Sequence, residues 1–561
     1  MESQAPRDKN VHIDDSAALE QLGHKQELKR NFSKISLLGL AFAILNTWTA
    51  LSASISLALP SGGPSSVIWG LMVAGICNLC LAAPLAEMLS AYPTAGGQYH
   101  WAALLAWPKW SRGISYVTGW INAAGYVVLT ATAPLLGSTF VTDAITFMHP
   151  SYKAQAWHQF LIYLAFTLIA LVINAFATRL LPLFNKAAFL WSISGFIIIS
   201  ITVLACAAPD YQSGAFVYGK FINEVGWPDG LAWMLGLLQG AFALTGFDAA
   251  AHMIEEIPNA RVEGPRIMIW CILIGMASGF IFLSCLLFVV KDVQNVIESP
   301  AGALLQMYFD ATNSKAGSIC LLVFSIVCMV FTATAIMTTS ARMVSKYLLN
   351  LSLQLSSCSF PCVVFLLTLF AQTYSFSRDR GLPFSHIWSK VHPTLDVPLN
   401  ALFWTTGWVI VFGLILLGSS SAFNAITAAS VVALGVTYAI PPAIHLLRGG
   451  NLLPEDRPFK LSTPVRWVCS LVGIAWAILT TVLFVFPPEL PVTPTNMNYC
   501  IAAFGVILFL SVGTWIFDGR KHYKGPLIQM SMDGATLEGA SMAETTCTSN
   551  VEDDMKSHKP E

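Results

Sequence analysis

Two long apolar runs in this chain are each cut near the middle by a short polar stretch. The first reads GLAFAILNTWTALSASISLAL, from Gly39 to Leu59, and is cut by Asn46-Thr47-Trp48-Thr49. The second reads LLQGAFALTGFDAAAHMIEEI, from Leu237 to Ile257, and is cut by Thr245-Gly246-Phe247-Asp248. Hydrocarbon offers no partner to a free backbone N–H or C=O, so non-helical backbone at membrane depth survives only inside protein or along a cavity. Each run is therefore expected to cross as two half-helices, with its break sheltered by the rest of the fold.

That the runs belong in a membrane follows from composition. The chain is 55% hydrophobic and 11% charged, with a mean hydropathy of +0.63; a soluble protein carries about 25% charged residues. About 20 apolar residues cross a bilayer core. On that measure the sequence predicts an all-α integral membrane fold with twelve spans: 35–58, 66–90, 114–140, 158–178, 187–207, 233–254, 267–290, 316–343, 399–418, 421–447, 467–487 and 499–518. The amino-terminal tail has no apolar core, so a cleavable signal peptide is not expected and the first span directs insertion. Of the 30 Lys and Arg residues, only Lys153, Lys220, Lys291 and Lys315 fall on one side of this arrangement. The positive-inside rule then puts both termini in the cytosol. The chain divides into a cytoplasmic tail (1–34), a polytopic domain (35–518) and a polar, Ser/Thr/Glu-rich tail (519–561) expected to be disordered.

One segment departs from this pattern. Residues 344–372, VSKYLLNLSLQLSSCSFPCVVFLLTLFAQ, are apolar enough to span, yet a thirteenth span would send the basic carboxyl tail outside. Val344-Ser345 can be encoded GTAAGT and Ala371-Gln372 can end in CAG, the marks of an intron's two ends. Leu367-Thr368 can contain the branch-point-like CTAAC. Whole codons fill the interval, so an unspliced intron would be translated in frame. A retained intron and a real hairpin or re-entrant segment are the two readings.

The breaks are suited to a small solute. A broken helix exposes N–H groups at one end, which favour anions, and C=O groups at the other, which favour cations. Asn46, Thr47, Trp48, Thr49, Phe242, Thr245, Gly246, Phe247 and Asp248 are the candidate substrate-binding residues. The threonines supply hydroxyls, and Gly246 lets the backbone approach a ligand. Trp48, Phe242 and Phe247 either face an aliphatic or cationic group or simply pack helices. Asp248, an ionisable group at mid-span, is a functional candidate by default. It pairs with a substrate amine or carries a proton, or else caps the second half-helix. Glu87, Lys186, Glu255 and Glu256 are candidates for coupling or gating. For Glu87 the competing role is structural pairing at a helix end, and for Lys186 it is a cytoplasmic anchor.

Paired breaks in two halves of a polytopic chain point to a secondary carrier. A pump is disfavoured because no GxxxxGK[ST] loop occurs; the Gly219-Lys220 pair is followed by Phe221. A membrane enzyme would need clustered acid–base or metal-binding groups. The 11 histidines are scattered with no HExxH, and Cys77 and Cys80 lack partner ligands, so no metal or cofactor is expected. The 12 cysteines lie mostly in apolar runs, which argues against an extracellular disulfide framework. A net charge of −1 implies no bulk attraction to nucleic acid.

The chain resembles the amino acid–polyamine–organocation superfamily, and within it the fungal amino acid/choline permeases that include GABA, choline and polyamine carriers. The resemblance rests on RNFSKISLLGLAFAILNTWTALSAS (30–54), AEMLSAYPTAGGQYHW (86–101), TGFDAAAHMIEEIPNA (245–260) and, across the odd segment, SARM joined to TYSFSRDRGLPFS. It runs from about residue 20 to 518; the departure is 344–372. It implies two inverted five-helix repeats with helices 1 and 6 discontinuous, plus two peripheral helices. It further implies import of a small amine-bearing solute by alternating access. An amino acid such as GABA leads, with choline or a polyamine as the alternative. A proton ahead of sodium is the coupling ion, and the plasma membrane the location. In such a fold the turn Tyr92–Gly97 belongs to a cytoplasmic loop.

Overall fold

A computed structural model of the protein describes residues 34–177, 180–254, 257–342, 399–493, 496–523 and 525. Among the described residues there is no strand, only an isolated bridge between Ser61 and Asn223. The helices begin with α1 (Lys34–Leu45), α2 (Thr47–Ala58), α3 (Gly63–Ala91), α4 (Gln98–Leu105), α5 (Pro108–Met148), α6 (Ala156–Phe176) and α7 (Leu181–Ala207). Then come α8 (Gly214–Gly219), α9 (Asp229–Ala243), α10 (Ala249–His252), α11 (Ala260–Val289), α12 (Val293–Ile297), α13 (Ala303–Thr312) and α14 (Lys315–Arg342). The chain closes with α15 (Leu399–Gly418), α16 (Ser420–Leu447), α17 (Thr463–Leu483), α18 (Cys500–Thr514), a π turn (Trp515–Gly519) and α19 (Arg520–His522).

Eleven stretches among the described residues are long and apolar enough to cross a membrane, where the sequence predicts twelve. The difference is the run 233–254. It is not one helix: α9 has 15 residues and α10 four, with Leu244 to Asp248 between them in turns. Neither piece alone reaches the ~20 residues a crossing needs. The segment 344–372, Glu255 and Glu256, and the tail beyond 525 lie outside the described residues.

Burial varies widely among the helices. Most of α1–α2 and α5 is enclosed by protein, whereas α6, α7, α17 and α18 are enclosed over about a third of their length or less. The open faces are apolar and in helical register: Leu168, Ile169, Val172 and Phe176 on α6, and Leu183, Leu190, Ile197 and Ile201 on α7. Faces of this size mark contact with a membrane or another protein, and lipid tails meet them at no hydrophobic cost.

Close helix approach depends on small residues, since lipid gives no hydrophobic drive to association. The α3–α9 contact is the clearest case. A Cβ added at Gly70 would sit 2.9 Å from the Leu237 Cα, and one added at Gly240 would sit 2.9 Å from the Leu71 Cα. This contact sets α9, and with it the second break, against the centre of the fold.

Candidate functional site

The first break is narrower than the sequence suggests. Helix geometry is lost at Asn46 alone, in the left-handed region with φ 38° and ψ 47°; Thr47, Trp48 and Thr49 already form the first turn of α2. Asparagine tolerates this conformation better than most other side-chain-bearing residues, and here its amide bonds through both its nitrogen and its oxygen. Asn46 Nδ2 donates to Thr332 Oγ1 at 3.0 Å, and its Oδ1 accepts from Thr49 Oγ1 at 3.1 Å and Ser192 Oγ at 3.4 Å. Trp48 joins the same network, its Nε1–H donating to Ser192 Oγ at 2.8 Å. Four helices, α1, α2, α7 and α14, are thus tied at one point.

The second break is wider, from Leu244 to Asp248. Gly246 takes φ 98°, a conformation that side-chain-bearing residues rarely adopt, and a Cβ there would lie 3.1 Å from Ile44 of α1. Thr245 returns its hydroxyl to the Ala241 carbonyl at 2.8 Å. The two breaks meet directly: Thr47 Oγ1 donates to the carbonyl of Ala243, the last residue of α9, at 3.2 Å. A second bond, from buried Gln239 Nε2 to the Leu51 carbonyl at 2.8 Å, keeps α9 alongside α2.

Asp248 closes the second break and is fully buried. Its carboxylate does not bond the free N–H groups of α10, so it is no helix cap in this conformation. Instead it gathers four partners from four elements. Tyr126 of α5 and Tyr438 of α16 each donate to Oδ1 at 2.5 Å, and Gln98 of α4 donates to Oδ2 at 2.7 Å. His252 Nε2 lies 3.1 Å from Oδ2. Gln98 is itself oriented by Asn122, whose Nδ2 donates to Oε1 at 3.1 Å. A carboxylate offers about four lone-pair positions, and all are taken. This is how a buried negative charge avoids the cost of lost hydration.

The aromatic candidates are committed to protein. Trp48 packs on Phe282 with ring centroids 5.1 Å apart, and Phe247 on Tyr438 at 4.7 Å. Phe242 is half-buried.

The other candidates lie apart from the breaks. Glu87 is buried near the end of α3, bonded to Arg457 Nε at 2.9 Å, to Arg466 Nε at 2.7 Å and to the Leu461 backbone N–H at 3.0 Å. Lys186 is exposed on α7.

Sequence reasoning missed Tyr126, Tyr438, Gln98 and His252. One of them carried a signal: His252 lies four residues after Asp248, the spacing of helix neighbours. Gln98 was masked by its setting. The turn after Tyr92, expected in a cytoplasmic loop, does turn, but it leads into α4, whose Gln98–Ala103 are buried. Among the described residues no group of three or more His, Cys, Asp or Glu is arranged to hold a metal ion.

The family model described as amino acid permease matches residues 35–348 and 353–509. A choline transporter of Saccharomyces cerevisiae is 31% identical over 503 residues, covering 88% of this chain and 83% of the relative. A putative amino acid/polyamine transporter of Macrophomina phaseolina is 34% identical over 475 residues, covering 83% and 97%. An amino-acid permease of Arabidopsis thaliana is 27% identical over 526 residues, covering 91% and 95%.

Proposed function

The chain belongs to the amino acid permease family and is a multi-pass membrane transporter of small solutes, not an enzyme; we propose that it is a secondary carrier importing an amino acid such as GABA by alternating access. The observation that carries this reading is the junction of the two breaks, where Thr47 meets Ala243. There the amino end of α2 and the carboxyl end of α9 come together inside the protein. Free N–H groups at the one suit a carboxylate and free carbonyls at the other suit an ammonium.

In this reading Asn46, Thr47, Thr49, Thr245 and Gly246 supply the polar lining. Trp48, Phe242 and Phe247 form the apolar wall, and Asp248 sets the charge beneath it. The broken run from α9 to α10 is the twelfth crossing, and helices 1–5 and 6–10 are inverted repeats that rock about the site. Lys186, Glu255 and Glu256 belong to gating or coupling, while Glu87, held by Arg457 and Arg466, pins the end of α3; a proton is the coupling ion, and the carrier works in the plasma membrane with both termini in the cytosol.

A second reading, choline or a related quaternary amine, draws support from the choline transporter among the relatives. A quaternary head without a carboxylate needs an aromatic cage. Trp48 and Phe247 are already packed on Phe282 and Tyr438, which favours the amino acid. A polyamine has no carboxylate either.

Uptake of radiolabelled GABA, choline and putrescine in a permease-deleted yeast tests the choice. Saturable, gradient-driven GABA accumulation is expected. Choline or putrescine uptake without GABA uptake would overturn the amino acid assignment. Flux indifferent to every ion gradient would overturn the secondary carrier.

A further inference from the structure

The environment of His252 fixes a proton count. Its Nδ1 lies 3.0 Å from the Ala95 carbonyl oxygen. A carbonyl only accepts, so Nδ1 carries a hydrogen. Its Nε2 lies 3.1 Å from Asp248 Oδ2. In a neutral imidazole with Nδ1 protonated, Nε2 presents a lone pair, and a carboxylate oxygen presents another. Two lone pairs do not make this contact. One further proton must lie between Nε2 and Oδ2.

The other partners of Asp248 decide where that proton rests. Tyr126, Tyr438 and Gln98 all donate to the carboxylate, and donors to the charged form favour the charged form. The proton therefore sits on Nε2, giving an imidazolium against a carboxylate. The titratable groups facing the pair are Tyr126 from α5, Tyr438 from α16 and Cys271 from α11. None of these bears a positive charge, so the His252 proton alone balances Asp248 within the group.

Resting on the carrier reading above, we propose that Asp248 and His252 form the proton-binding site of the coupling cycle, loaded in the conformation described here. Release balances simply. The Nε2 proton leaves for whichever aqueous side is open, His252 stays neutral with its hydrogen on Nδ1, and Asp248 keeps its charge. The contact at 3.1 Å is then repulsive and one side of it must move. His252 ends the four-residue α10. Ala95 lies in the turn leading to α4, where Gly97 brings backbone so close that a Cβ on it would be 3.1 Å from His252 Cε1. Loss of the proton thus pushes α10 away from Asp248 or from that turn, and Gln98 of α4 holds the same carboxylate. Through these contacts proton release loosens the second break.

The first arm of the test needs no substrate. The full-length protein, labelled with nitrogen-15 histidine in lipid nanodiscs, is titrated by NMR from mildly acidic to alkaline buffer. The signal missing from His252→Gln is expected to show both ring nitrogens protonated in acidic buffer and to lose one proton at higher pH. Asp248→Asn should abolish the doubly protonated form under the same acidic conditions. A His252 signal that stays singly protonated throughout, or that is indifferent to Asp248→Asn, overturns the proposal. The second arm uses radiolabelled GABA in proteoliposomes. His252→Gln should lose accumulation driven by an imposed pH gradient while its counterflow falls less than about tenfold, roughly 1.4 kcal/mol. Undiminished pH-driven accumulation by that variant also overturns it. If GABA is not carried, the substrate assignment falls and the NMR titration still decides the proton site.

Discussion

Arg466 grips Glu87 with two nitrogens, its Nε donating to Oε2 at 2.7 Å and its Nη2 to Oε1 at 2.8 Å. Both side chains are buried, and Arg457 joins them at 2.9 Å. The group fastens the end of α3 to the start of α17 and to the irregular segment between α16 and α17, where Arg466 also bonds the Gly450 and Leu461 carbonyls. Removing one partner of a buried pair strands the other's charge, at roughly 3–5 kcal/mol. Glu87→Ala, which strands two guanidinium groups, is expected to lower thermal stability by that order, and Glu87→Gln by less. Thermal unfolding of the purified protein measures it. A Glu87→Ala protein that melts like the parent but transports poorly would assign the carboxylate to gating instead.

Asn46 holds its break by backbone and side chain together, and two substitutions separate the contributions. A left-handed conformation costs an ordinary L-residue roughly 1–2 kcal/mol. Asn46→Gly removes that strain but loses the bonds to Thr332, Thr49 and Ser192; Asn46→Ala keeps the strain and loses the bonds. The expected order of thermal stability is parent, then Gly, then Ala, with uptake impaired in both variants. An Asn46→Ala protein that is more stable than the parent and still transports would mean that the break serves no purpose.

These two sites show what a sequence can reveal. The breaks were legible because polar residues interrupt apolar runs, although helix geometry fails only at Asn46 in the first and from Leu244 onward in the second. A propensity pattern marks where a helix is weak; tertiary bonds decide which residues leave it. The surroundings of Asp248 were not legible. Tyr126, Gln98 and Tyr438 stand 122, 150 and 190 positions from it, and no local periodicity links residues so separated. Glu87 and its arginines, 370 and 379 positions off, were hidden for the same reason.

Charge asymmetry across the spans predicts that both termini face the cytosol. Epitope tags at either end should resist added protease on intact cells and be cleaved after permeabilisation. Cleavage of a carboxyl-terminal tag from outside would add an odd crossing and reverse the assignment of every later loop.

The segment 344–372 is expected to be absent from most mature transcripts. Its codons can supply both splice signals and keep the frame. The family match runs to 348 and resumes at 353, so it does not skip the segment as a block, and a true re-entrant stretch is the competing reading. Long-read sequencing of the message decides between them: reads that mostly retain these codons would sink the intron.

Trp48 tests whether the wall of the site acts on affinity or on packing. The indole is fully buried, lies 5.1 Å from the Phe282 ring and donates its N–H to Ser192 at 2.8 Å. Truncating a core aromatic to alanine costs about 3–5 kcal/mol, so Trp48→Ala is expected to lower thermal stability before any change in half-saturation can be read. Trp48→Phe keeps most of the contact with Phe282 and loses one hydrogen bond, about 1 kcal/mol. That variant should fold and reach the surface, which makes it the informative one. Ser192→Ala removes the same bond from the other side, together with the 3.4 Å bond from Ser192 to Asn46. The two changes should therefore be non-additive in stability, the pair costing less than the sum of the two single changes. A direct cation–π contact with substrate makes a different prediction. It is worth about 0.5–2 kcal/mol, so its loss weakens binding about 2- to 30-fold with stability unchanged. A Trp48→Phe protein as stable as the parent, additive with Ser192→Ala and weakened in half-saturation would show that the indole in the wall of the site acts on the substrate directly rather than through packing.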